Sequence, residues 1–198
     1  MLRHLIIAGA LGTAVACGRE PRQAAEVPSG GVVDSTLPMP ELIRRFQATV
    51  ADTPSTLVGG ADSPEALTRL LLSTLAARDT AVLRTLIVSR AEFAFLYFPH
   101  SQYTRPPYEL APELVWLTMV SASEKGAGRL LTRFGGRSLR FERLECTDGT
   151  DEEGPNRIQR GCRVRFAVPD SGVREVQLFG ALLQRGGRYK FLSFANDL

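Results

Sequence analysis

Apolar and polar positions alternate along this chain with three different periods. From Leu5 to Ala16 the side chains are almost all apolar or small, with Arg3 before them and Cys17 directly after. Over 18–38 periodicity disappears, and Pro21, Pro28, Gly30, Gly31 and Pro38 mark a linker. A helical period follows. Leu42, Ile43, Phe46 and Val50 predict a short amphipathic helix over 41–50. Asp62-Ser-Pro-Glu65 combines a capping residue, an N-terminal proline and a glutamate three residues on, ahead of the stripe Leu67, Leu70, Leu71, Leu75. Asp79 is placed to cap a second helix running through Ile87, and Ser89-x-x-Glu92 is a capping box opening a third. Pro112 begins a long helix to Phe134, with a break expected near Gly126 or Gly128 and a stop at Gly135-Gly136.

Beyond Gly136 the period becomes two. Leu139 and Phe141, then Cys162, Val164, Phe166 and Val168, then Val176 and Leu178, then Tyr189, Phe191 and Ser193 read as strand faces. Pro169–Gly172 and Gly186-Gly187 are turn signals. Helices first and strands after predict an α+β domain, its N-terminal helices packed on one face of a curved C-terminal four-stranded antiparallel meander.

The stretch Ala66-Leu-Thr-Arg-Leu-Leu-Leu-Ser-Thr-Leu-Ala-Ala-Arg-Asp79-Thr-Ala-Val-Leu83 resembles the NTF2-like (SnoaL-like, cystatin-related) superfamily, where a first helix ends in a similar A-x-x-A-R-D run. The hairpin over 182–196, with Gly-Gly-Arg-Tyr-Lys-Phe at its turn, is similar to the last two strands of that family. The resemblance covers about half the domain and implies a curved sheet wrapped by helices. It departs from the family pattern over 92–134, which reads as helix and loop where strands are usual.

The leading segment has the form of an export signal, and its apolar run is too short for a spanning helix of ~20 residues. Ala14-Val15-Ala16 fits ordinary secretory cleavage after residue 16. Ala14-Val15-Ala16-Cys17 also resembles a bacterial lipobox, although Ala14 stands where leucine is usual. Cysteine parity separates the two. The three cysteines are Cys17, Cys146 and Cys162. Acylation of Cys17 leaves an even pair, as an exported protein favours. Residues 1–16 are thus expected to be a lipoprotein signal, 17–38 a lipidated cysteine and linker, and 39–198 one domain. Gly18, where the inner-membrane retention signal is Asp, points to the outer membrane. A flexible tether of this length reaches roughly 25 Å.

Twenty-four basic and twenty-one acidic side chains give the whole chain a net +3. Without the leader's Arg3 the balance is +2, and neither charge nor compartment suggests nucleic acid. Cys146 and Cys162 flank an acidic Gly-rich loop and are expected to form a disulfide. Asp148 to Gly154 lacks the alternating acidic spacing of a calcium loop. Arg157, Arg160, Arg163 and Arg165 read as a basic cluster on one strand, and Glu142, Glu145 and Glu175 are in place to pair with it across the sheet.

No P-loop, dinucleotide fingerprint, nucleophile elbow or zinc-type cysteine pair occurs, so no cofactor or metal is expected. His100 is the only histidine outside the leader, and seven of the fifteen aromatic residues lie between Phe93 and Trp116. Tyr97, His100, Tyr103, Arg105, Tyr108 and Trp116 are therefore candidate pocket residues, and His100, Glu92 and Glu109 candidate acid–base groups. The plainer reading of the same stretch is a core helix followed by a proline-stiffened loop. The expected function is that of an envelope lipoprotein, held to a bilayer by acylated Cys17. Its domain would bind a small apolar ligand or an envelope protein without catalysis. The alternative is a pocket enzyme of the isomerase, dehydratase or hydrolase kind using His100 with a carboxylate.

Overall fold

The computed structural model describes residues 37–169 and 171–198. The signal segment, Cys17 and the linker up to residue 36 lie outside the described residues. Residues 37–198 form one unit of five α-helices and seven strands. In chain order, α1 is Met39–Ala48, α2 Pro64–Ala77, α3 Thr80–Thr85, α4 Arg90–Glu92 and α5 Pro112–Phe134. The strands are β1 Arg140–Cys146, β2 Thr150–Glu153, β3 Asn156–Gln159, β4 Cys162–Val168, β5 Gly172–Val176, β6 Ala181–Arg185 and β7 Arg188–Ser193.

The helix starts follow local chemistry. Ser63, rather than Asp62, caps α2 by accepting from the Ala66 N–H at 3.1 Å, which frees Asp62 to bind Arg188. Asp79 Oδ1 accepts from Ala81 and Val82, and the box of Ser89 with Glu92 is formed in both directions. The expected third helix widens at once into a π-turn, Phe93–Tyr97, and tightens into a 3-10 turn, Phe98–His100. α3 stops at Thr85 because the next residues join the sheet edge: Phe191 N–H donates to Leu86 O, and Val88 N–H donates to Phe191 O. α5 runs unbroken through both glycines. Gly126 is there for contact, since a Cβ on it would fall 1.7 Å from Phe194 O.

The expected single meander divides into two antiparallel sheets. One has the order β1-β4-β5 and the other β2-β3-β6-β7. The supposed loop between Cys146 and Cys162 is the hairpin β2–β3, which leaves the first sheet, adds to β6 in the second and returns. Thr-Asp-Glu-Glu carries no apolar alternation, so its pairing depends on the partner strand. Arg157 accordingly lies on β3, away from Arg163 and Arg165 on β4. These two are exposed, and Arg165 meets Glu142 at 3.1 Å and Glu175 at 3.7 Å.

The helices also cover more than one face. Leu182 and Phe191 look into a core with α2, α3 and the inner face of β4 (Cys162, Val164, Phe166). Ile158, Leu183 and Leu192 look the opposite way into a second core with Phe46 of α1, Phe93, Tyr97 and Val115 of α5. The four-stranded sheet is thus buried on both sides, and β6 begins with three consecutive buried residues.

Cys146 and Cys162 stand opposite each other in the β1–β4 ladder and are joined by a disulfide. The bond closes the excursion of β2–β3 between the two sheets. Its reduction is expected to lower stability by about 3 kcal/mol through loop closure. Denaturant midpoints with and without reductant measure this, and equal midpoints would refute it.

Candidate functional site

A groove runs between the α3–Val88 segment and α5, with the end of β7 as its floor. Two hollows make it up, a third opens beside it without an α5 wall, and Arg84 and Ile87 line all three. One, of ≈ 290 Å³, is walled by Leu83, Ala127, Leu131 and Phe194. The next, of ≈ 150 Å³, is walled by Val88, Trp116, Met119, Val120 and Leu192. The third, of ≈ 800 Å³, opens toward the 52–59 loop and carries Thr53, Thr85 and Ser89. The close approach of α5 at Gly126 brings its small residues down onto Phe194, and Ser123 Oγ there accepts from the Phe194 N–H at 3.2 Å.

At the wall of the largest hollow lies a buried ion pair. Glu92 and Lys190 are 2% and 3% exposed and meet at 2.7 Å. Glu92 also accepts from the backbone N–H of Val58 and of Ser89, each at 2.7 Å, and Lys190 donates to Val58 O at 3.0 Å. The carboxylate that caps α4 therefore also ties the 57–60 loop and β7 to the helix. With three donors upon it, Glu92 is a structural clasp.

The candidate aromatic residues divide between two places. Trp116 stacks on Phe93 at 5.2 Å and faces the groove. Tyr97 also packs on Phe93, at 5.9 Å, and is buried in the core. Tyr103 and Tyr108 pair edge to face at 5.8 Å on the following loop, and Arg105, Tyr108 and Glu109 are exposed. His100 rests on the β2–β3 turn, where a Cβ at Gly154 would come 2.9 Å from its Nδ1, and Gly154 also has φ +63°. Burial and then the charge of Arg185 hold the His100 imidazole below its usual range. His100, Tyr97 and Tyr103 line none of the three hollows.

Beside His100 lies a carboxylate with no sequence signal. Glu153 is 3% exposed, its Oε1 takes the Gln102 N–H at 3.4 Å and faces the Arg160 guanidinium at 3.8 Å, and its Oε2 has no hydrogen-bond partner. Burial raises its pKa, and the Gln102 N–H and Arg105 offset this only in part. The nearby carboxylate, added to burial, lifts the phenol of Tyr97 above its usual range. A raised carboxyl pKa means that the folded state binds the proton more tightly than the unfolded chain. Glu153 therefore costs stability as pH rises through the ordinary carboxylate range and above it. Glu153→Gln is expected to raise the thermal midpoint at pH 7 and to lose that advantage at acid pH, where the carboxyl is protonated in both states. An equal loss of stability at both pH values would contradict this.

Among the described residues no helix is long and apolar enough to cross a membrane, and no group of three or more His, Cys, Asp or Glu is gathered to hold a metal. Comparison with known protein families, curated proteins and solved structures finds no match to this chain.

Proposed function

We propose that this chain is an exported lipoprotein, anchored in the outer membrane through acylated Cys17, whose domain is an NTF2-like variant that binds a small apolar ligand without catalysis. The observation that carries the ligand reading is the groove between α3 and α5. Its two hollows are walled mainly by aliphatic and aromatic side chains, the usual lining of small-molecule sites. Helices wrapped on an antiparallel sheet agree with the resemblance seen in 66–83 and 182–196. The non-catalytic reading is supported by the separation of His100 from the groove and by the saturated hydrogen bonding of Glu92.

Native mass spectrometry of the full chain carrying Cys17→Ser tests the ligand. One 1-dodecanol retained per chain, saturably, is the expected result, and only the bare mass at every concentration would refute it. The anchor has its own test: Cys17→Ser is expected to release the protein from the membrane fraction, and continued fractionation with membranes would sink lipidation.

A further inference from the structure

The outer face of α5, turned away from the groove, is amphipathic along its length. Leu114 and Leu117 are 53% and 62% exposed, three residues apart and on one side of the helix. Thr118, Ser121 and Ala122 continue the same side, and Lys125 and Arg129 close it. From Leu117 onward this side, together with Ala195 and Asn196, lines an open hollow of ≈ 530 Å³ that ends at the two cations. Among the described residues no carboxylate lines it. Arg129 is held in place from below, its Nε on Asn196 Oδ1 and its Nη2 on Asn196 O, both at 2.9 Å. The guanidinium is thus pre-oriented and retains donors for an anion. Lys125 makes no ion pair with any described residue.

We propose that this face of α5 docks the domain onto a membrane surface rich in anionic lipid. Leu114 and Leu117 enter the headgroup boundary, and Lys125 and Arg129 meet lipid phosphates. Apolar side chains at one end of a helix face and unopposed cations at the other match the two layers of such an interface. Exposed leucines beside cations that meet no carboxylate among the residues lining the hollow suit a lipid phosphate better than an uncharged protein face. The proposal goes beyond ligand binding in the groove and uses a different side of α5. It would fix how a tethered domain presents that groove, on the side of α5 turned away from the bilayer.

Sedimentation of the full Cys17→Ser chain with vesicles tests it without help from the acyl chains. Binding is expected to vesicles of phosphatidylcholine with one third phosphatidylglycerol, to weaken as salt rises, and to be negligible on phosphatidylcholine alone. Lys125→Gln should lower partitioning about fivefold, the share of one basic side chain at an anionic surface. Leu114→Ser with Leu117→Ser should abolish it while leaving the thermal midpoint unchanged, since both side chains are exposed. Absence of binding, equal binding to both vesicles, or binding indifferent to these substitutions would overturn the proposal. So would a dimer in solution that the double serine variant dissolves, because the face would then belong to a second copy. None of these outcomes touches dodecanol binding in the groove.

Discussion

Lys190→Ala is expected to destabilise the protein by about 3–5 kcal/mol, the range for breaking a buried ion pair by removing one partner. The reason lies in what remains. Glu92 sits 2% exposed beneath the 57–60 loop, and without the ammonium group its charge is countered only by the N–H groups of Val58 and Ser89. The Val58 carbonyl loses its donor in the same step. Both effects fall on the contact joining α4, the loop and β7, so the large hollow beside the groove should deform as well. Glu92→Gln combined with Lys190→Met should cost less than Lys190→Ala alone, because no buried charge is left and the amide oxygen that replaces the carboxylate can still accept a backbone hydrogen bond. Urea melts of the single and double variants beside the unaltered chain decide this, and a double variant as unstable as the single one would show that packing, not charge, governs the site.

Phe93→Ala is expected to cost about 3–5 kcal/mol as a large cavity in a core that cannot collapse around it. Phe93 is fully buried and lies 5.2–5.9 Å from the rings of Phe46, Tyr97, Phe98 and Trp116. Those rings come from α1, the π-turn and the 3-10 turn after α4, and α5, so one side chain holds these elements together. Trp116 is the only tryptophan and has Phe93 behind it and the groove in front. Its emission should therefore shift when Phe93 is removed, well before the protein unfolds. A loss below about 1 kcal/mol, the range of a tolerated hydrophobic swap, with unchanged emission would refute this role.

Much of this was legible in short-range pattern. Asp79, the box of Ser89 and Glu92, and Pro112 mark helix starts because capping depends on residues two or three positions apart. The disulfide was legible from cysteine parity taken with the expectation of export. The second sheet was not. β2 has no apolar residue and β3 has only Ile158, so their strand character comes from pairing with β6. Burial on both faces likewise erases the alternation that would mark β6 as a strand. The same effect hides Lys190. Between Tyr189 and Phe191 its alternation implies a solvent-facing side chain, whereas that face is covered by α4 and the 57–60 loop. Glu92 was visible as a cap, but its partner lies 98 residues away. Of the aromatic stretch 93–116, Phe93, Tyr97 and Phe98 build the second core, and only Trp116 among the candidate pocket residues reaches the groove, because the π-turn after α4 directs Tyr97 into the core.

The most direct measurement is quenching of Trp116 by 11-bromo-1-undecanol in the full Cys17→Ser chain. Bromine quenches only near contact, and no other tryptophan confuses the signal. An apolar ligand lying in the α3–α5 groove should quench Trp116 saturably, and unbrominated undecanol should compete the quenching away. Quenching that rises linearly without saturation, or that undecanol does not displace, would contradict a binding groove there.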